Sequence, residues 1–524
     1  MYTTESYQMP FWSQSSNFVR GRDPLGVQNS SISVYSRLLP GMTNLTLRLR
    51  YYGMYLWLLD EYHNLPEGHE FKMKAQGQYN FIRRAELILA YFMINQYETE
   101  QSVIGSDYAI RYKEDLKIIG YYNIATGADR ENSDTERGVY WAYKSGALGQ
   151  YYAGSLISLG LIYTKAERFV RTDIKGVELA RAYKTSITEV TANLFIKRII
   201  EGRLFSTDLT DLDNIALNKN YQNSAESNLY TKILLSDDGL LNKKTDGLTP
   251  SQRKETLFLF LNLIDQSNNN EEWKIFPRLK YLDFLENNKN NKSEAECGWY
   301  YYYLNELAHY ALECIFWGML SEMGDGKFTI EQFISYVSNE AQTYKDINYS
   351  DLKDTINDLM HAEIDTLTLV DKINQVVKNK DGIQGIVLGS FVLLFLYHDN
   401  KSHIELASNY AAKYQLYNKN GNVLDIFRNS IERNISINYK EYVMRITYSL
   451  ISDHMNIAYG KMRDGEKNLL KFILEDGFLV HIETMNPSFT SPRIRTVYNF
   501  LFDLKLIDEN NELTTEGRAI LIQA

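Results

Sequence analysis

Apolar residues in this chain recur mostly at spacings of three and four, the period of a helix that buries one face. Leu45, Leu49, Tyr52, Leu56 and Leu59 share such a face. They follow a Pro40-Gly41 turn and a Thr43-Asn44 capping signal, so a helix is predicted over 45–63, with Arg48, Arg50 and Asp60 off the apolar stripe. A second helix is predicted over 81–97. A third spans 299–323, where Leu304, Leu307, Ala311, Ile315, Met319 and Leu320 keep the period until Gly324. The run 386–397 is apolar on all sides, as befits the buried centre of a bundle, and is shorter than the roughly twenty residues that span a bilayer. The pattern also predicts a helix continuing over 180–200, two or three helices over 328–376, one over 467–474, and one over 493–505 with Pro492 in its first turn.

At two places the period shortens. Over 151–183 a helix containing Leu156 and Leu159 ends at Gly160, and a strand starts at Ile162. A charged turn, Lys165 to Arg168, leads into Phe169-Val170-Arg171-Thr172, and a new helix follows Gly176. The stretch 497–522 repeats this order. Leu504-Lys505-Leu506-Ile507 stands for Leu159-Gly160-Leu161-Ile162, Thr514 for Thr172, and Gly517 for Gly176.

A chain of 524 residues exceeds one hydrophobic core, so several domains are expected. The reading is a mainly α, multi-domain protein. Residues 1–200 form a helical domain that holds the first helix–ribbon–helix unit at about 137–185. Residues 201–460 form a central helical bundle with polar, Asn-rich loops, and 461–524 form a closing domain around the second unit.

Charge narrows the function classes. There are 56 Lys and Arg against 66 Asp and Glu, a net charge of −10, which argues against a protein that coats nucleic acid. The opening stretch has a small positive balance, with Arg20, Arg22, Arg37, Arg48 and Arg50 against Glu5, Asp23 and Asp60. Arg20, Arg22, Arg48 and Arg50 are candidates for anion contact; the alternative is that they clamp loops through carbonyls and carboxylates. The two cysteines, Cys297 and Cys314, cannot make a disulfide framework. No secretory pattern opens the chain, and a cytoplasmic protein that avoids membranes is expected.

Chemistry-bearing motifs are sparse. His63 and His69, His398 and His403, and the group His361, Glu363, Asp365 lack the spacing of a metal site. Glu272-Trp273-Lys274 matches the Glu-x-Lys of one nuclease class, but no convincing strand precedes it. No phosphate loop, dinucleotide fingerprint or nucleophile elbow is present. The sequence assigns no catalytic residue, metal or cofactor.

The two stretches LGLIYTKAERFVRTDIKG and LKLIDENNELTTEG resemble the winged-helix superfamily of bacterial regulators. That resemblance implies a recognition helix carrying Arg493, Arg495 and Tyr498, and a wing carrying Lys165, Arg168 and Arg171, as nucleic-acid contacts. Winged helices also dock proteins. Residues 461–524 hold eight Lys or Arg against ten Asp or Glu, so both uses stay open. The opening, RGRDPLG followed by LLPGMTNLT and RYYGMYLWLL, resembles large bacterial proteins encoded beside ATPases, helicases or nucleases in anti-phage defence islands. It implies an accessory or sensor subunit that contacts DNA and docks such a partner, with self-association left open. The alternatives are a divergent metal-dependent nuclease and a winged-helix transcriptional regulator.

Overall fold

The computed structural model describes residues 23–97, 103–130, 138–235, 250–267, 271–286, 292–324, 328–344, 351–360, 365–418, 421–463 and 469–522. Arg20 and Arg22 lie outside them. The described chain is mainly helical, with three two-stranded antiparallel ribbons. It packs into two compact units, each assembled from separated stretches. Unit A comprises 35–279, 291–296 and 491–524; unit B comprises 1–34, 280–290 and 297–490.

Unit A is built around the Arg50–Asn64 helix, whose residues from Arg50 to Leu59 are all buried. This helix starts later than the apolar pattern predicts. Thr43 and Thr46 bond to each other's backbone and side chains, which holds 43–46 in a turn and leaves Leu45 exposed. The Gly77–Gln96 helix supplies a second wall. From it, the buried Glu86 carboxylate accepts bonds from the Tyr55 hydroxyl at 2.8 Å, the Tyr140 hydroxyl, and the amides of Ala147 and Leu148 at 3.1 and 2.9 Å. These bonds seat the wide helical turn Leu148–Tyr152. The helix predicted over 180–200 is two, Lys175–Ile187 and Glu189–Glu201, because Thr188 takes a left-handed φ of 68° between them.

The two helix–ribbon–helix stretches share one local geometry, and both belong to unit A. The amide of Leu161 bonds to Leu156 O at 2.9 Å, and that of Leu506 to Leu501 O at 2.9 Å. Between them Gly160 and Lys505 turn left-handed, with φ of 68° and 58°, which closes each helix in the same way. The Thr172 hydroxyl donates to Gly160 O at 3.0 Å and that of Thr514 to Lys505 O at 2.7 Å. Each hydroxyl in turn accepts from the next helix's glycine, Gly176 at 3.0 Å and Gly517 at 3.2 Å. The first ribbon pairs Ile162–Lys165 with Arg168–Arg171; the second is reduced to one bridge, Ile507 to Leu513. Pro492 precedes the second unit's first helix, Ile494–Asp503, and Arg493 caps it with a φ of 66°. Tyr52 of the Arg50–Asn64 helix meets both copies edge-on, with ring centroids 5.6 Å from Tyr152 and 5.6 Å from Phe500.

Unit B is organised by the Glu294–Met323 helix, from Cys297 onward, and by the Gly382–Asn400 helix. The two backbones approach closely, since a Cβ on Gly318 would stand 2.4 Å from Gly382 O, and one on Gly385 would stand 2.6 Å from the Trp317 ring. The stretch Gly382–Lys413 is long and apolar enough to cross a membrane, and 72% of its most apolar window is buried inside the protein. The opposite face of the long helix is polar yet buried. Glu306 accepts from the Thr490 amide and hydroxyl, and Glu313 from the Ser488 amide and Gln28. His309 lies between them, 3.3 Å from both Ser31 Oγ and Ser488 O.

The expected helix over 467–474 is overturned. Phe472–Glu475 and Phe478–His481 form an antiparallel hairpin of unit B. Its turn, Asp476-Gly477, has φ of 50° and 83°, the two-residue turn that Asp-Gly favours. Behind the hairpin, His454 packs against Phe316 and Phe472, with centroids 5.0 and 5.1 Å away. Its Nε2 accepts from the Lys471 amide at 2.9 Å, so Nδ1 carries the proton and donates to Pro24 O at 3.0 Å.

The glycine geometry predicts that Gly176→Ala and Gly517→Ala each lower stability in urea melts, by about 1–3 kcal/mol. A Cβ at these positions would stand 2.4 and 2.3 Å from Leu161 O and Leu506 O, so the usual helix gain from alanine is reversed. Burial depresses the His454 pKa to about 4. The unfolded chain then binds the extra proton between pH 4 and about 6.5, so this stability is present above 6.5 and lost as pH falls toward 4. Melting wild type and His454→Gln across that window should show a difference shrinking by up to about 3 kcal/mol. A constant difference would exclude the buried neutral ring.

Candidate functional site

The arginines expected to meet anions are largely committed to the protein itself. Arg50 is 1% exposed. Its guanidinium donates to Ala216 O at 2.5 Å and Ser186 Oγ at 3.3 Å, and pairs with the buried Glu226 at 3.4 Å. Tyr183 and Tyr221 lie 5.3 and 5.4 Å from it. Arg48 donates to Leu217 O at 2.9 Å and pairs with Asp503 at 3.3 Å. Arg493 bonds to Leu39 O at 2.9 Å and Ser36 Oγ at 3.0 Å, over the Tyr35 ring. Burial holds its guanidinium below the usual arginine range.

The first ribbon is pinned rather than free. Arg171 pairs with Asp60 at 2.6 Å. Gln78 bonds to both backbone groups of Phe169, donating at 2.8 Å and accepting at 2.9 Å, so it occupies the edge of the strand as a neighbouring strand would. The Tyr79 hydroxyl holds the turn at Glu167 O. Lys165 stays exposed at the tip, and Arg168 is half-buried beside it.

The second copy differs. Arg495 points outward from the Ile494–Asp503 helix, exposed and without an ion pair or hydrogen bond among the described residues. Tyr498, one turn on, stacks on Trp273 at 4.3 Å and 12°, with its hydroxyl on Asn511. The Trp of Glu272-Trp273-Lys274 is therefore a stacking platform. Its segment, Glu272–Ile275, is a single tight helical turn rather than a strand, and Lys274 pairs with Glu271.

Beside this helix lies a cleft of about 420 Å³. Four cationic side chains line it: Arg48, Lys219, Arg495 and Lys505. Two lining carboxylates, Asp503 and Glu509, and Asp213, which pairs with Lys219, offset them in part. The loop 217–221 forms one wall, held in place by the Arg48 bond to Leu217 O. Tyr221 also lines the cleft; its residue is 6% exposed, and its hydroxyl is enclosed, with no hydrogen-bond partner among the described residues. A buried polar group left unmet costs about 1–3 kcal/mol, and such groups call for a reason.

The structure thus brings Arg48, Arg495 and Tyr498 to one cleft and leaves Arg50, Arg493, Lys165, Arg168 and Arg171 out of it. Sequence reasoning missed Lys219, Lys505 and Tyr221. Lys505 carried one signal, as the non-glycine counterpart of Gly160. Among the described residues no group of three His, Cys, Asp or Glu could hold a metal ion; His361 and Glu363 lie outside them. Compared with protein-family models, curated proteins and solved structures, the chain matches none.

Proposed function

We propose that this chain is a binding component that contacts nucleic acid through the cationic cleft beside its C-terminal helix–ribbon–helix, which acts as a winged-helix-like module. The observation that carries this reading is the convergence of Arg48, Lys219, Arg495 and Lys505 on one cleft beside the second copy. In the first copy Arg171 and the ribbon edge are taken by unit A and the exposed Lys165 lies at the ribbon tip; in the second, Arg495 is exposed and the Lys505 ammonium lies over the Phe502 ring at 4.7 Å, both on the cleft. A phosphate contact needs cations that are not already neutralised. The first copy then serves as a structural brace, and the helical surface docks a partner protein. In the context suggested by the opening segment, the chain is an accessory subunit of a bacterial anti-phage assembly that works with a neighbour-encoded ATPase or nuclease.

Binding of the purified full chain to DNA should fall steeply with salt. An Arg495→Ala/Lys505→Ala variant should reduce the slope of log affinity against log salt by roughly one to two. Arg171→Ala should leave that slope unchanged. An unaltered slope in the double variant, or absence of binding at low salt, would contradict the reading. Metal-dependent cleavage in the same assay would favour a nuclease instead.

A further inference from the structure

The cationic cleft is also an aromatic one. Arg495, Tyr498 and Phe502 follow one another at spacings of three and four along the Ile494–Asp503 helix, so they share a face, and Lys505 continues it just past the helix end. All four line the cleft. The Tyr498 and Phe502 rings are half-buried and nearly parallel, with centroids 6.2 Å apart at 17°. Trp273 backs Tyr498 at 4.3 Å, and the Tyr498 hydroxyl is tied to Asn511, so that ring is held in place before any ligand arrives. The Lys505 ammonium lies over the Phe502 ring at 4.7 Å.

This face does not suit a duplex. A major groove is about 12 Å wide and a helix with its side chains about 10–12 Å, so a helix that reads it must stand clear on both flanks. Here the loop 217–221 stands beside the helix as another wall of the cleft. The turn that would serve as a wing, 508–512, carries Asp508, Glu509 and Glu512 and no cation, which repels phosphate. Positive charge is limited as well. Arg48 is paired with Asp503 and Lys219 with Asp213, which leaves Arg495 and Lys505 beside Glu509. Two phosphate contacts fix a strand's path without holding a duplex by charge alone.

We propose that the cleft binds single-stranded nucleic acid, with a base stacked on the Tyr498–Phe502 wall and the flanking phosphates on Arg495 and on Lys505, which leaves the ring for the phosphate. This rests on the nucleic-acid reading of the cleft. A base within a duplex has both faces taken by its neighbours, whereas an unpaired base offers a face to an aromatic ring. Removing such a ring weakens single-strand binding by roughly five- to 150-fold per base. At about 420 Å³ the cleft has the capacity of a small-ligand site, enough for a base and its sugar. Stacking is tolerant of sequence, because every base has such a face.

The test titrates the full chain, as wild type, Phe502→Leu and Phe502→Tyr, into fluorescent single-stranded DNA, RNA of the same sequence and the DNA duplex. At least one single strand should bind about tenfold or more tighter than the duplex. Phe502→Leu keeps an apolar side chain without the ring. It should weaken single-strand binding at least about fivefold and leave the salt slope unchanged, since no charge is lost. Phe502→Tyr should restore the affinity. Photocrosslinking of a 5-iodouracil strand to wild type needs no variant and should map to Tyr498 or Phe502. A duplex bound as tightly as either single strand would overturn the single-strand proposal and leave the nucleic-acid reading standing. Crosslinks confined to other segments, or single-strand affinity indifferent to Phe502→Leu, would overturn the stacked base. Failure of every probe to bind at low salt would overturn both.

Discussion

One carboxylate, that of Asp503, fixes the geometry of unit A around its cleft. One of its oxygens accepts the Leu49 amide at 3.0 Å, and the other pairs with Arg48 at 3.3 Å. The Arg50–Asn64 helix has no side-chain cap of its own, so Asp503 supplies from a distant helix what a local Ser or Asp would otherwise give. Arg48 passes the constraint on to Leu217 O and so to the loop bearing Lys219 and Tyr221. Both ions are largely shielded, so losing either would strand the other in a poorly solvated site. The same pair consumes one of the cleft's two carboxylates. The pair sets the shape of the cleft and is itself neutral, so the charge left to meet a ligand comes chiefly from Arg495 and Lys505.

The paired helix–ribbon–helix units show how one local solution yields two different surfaces. Both use a left-handed helix end, a threonine hydroxyl that accepts from the next helix, and a glycine pressed against a backbone carbonyl. Their surroundings separate them. The first copy has its strand edge taken by Gln78 and its Arg171 taken by Asp60, both from helices of the same unit. The second has a ribbon of one bridge and a helix whose outward residues keep their charge. The division of labour follows from what packs beside each copy, since the motif itself is the same.

This contrast also explains what the sequence could reveal. The repeat was legible because it depends on local backbone chemistry, where each residue answers to neighbours a few positions away. The buried central helices were legible for the same reason, through their period. The fate of the arginines was not. Arg48 and Arg50 look alike in the chain, yet one lines a cleft and the other is enclosed by Tyr183, Tyr221 and Glu226, which lie more than a hundred residues downstream. The cleft joins residues near 48, 217–221 and 495–509, and no periodicity links those stretches. The hairpin at Phe472–His481 is a different kind of miss, because Asp476-Gly477 between apolar runs carried the turn signal in plain view. The polar face of Glu306, His309 and Glu313 was likewise readable, at helical spacing within an apolar helix, and only its partners near 28–31 and 488–490 required the fold.

The most direct measurement is a crystal structure of the full chain grown with a short single-stranded oligonucleotide. The account predicts a strand phosphate in the cleft, within hydrogen-bond reach of the Arg495 guanidinium, with the Arg48–Asp503 pair unbroken. A strand bound elsewhere on unit A with the cleft empty, or a phosphate held by Lys165 and Arg168 at the first ribbon, would contradict it.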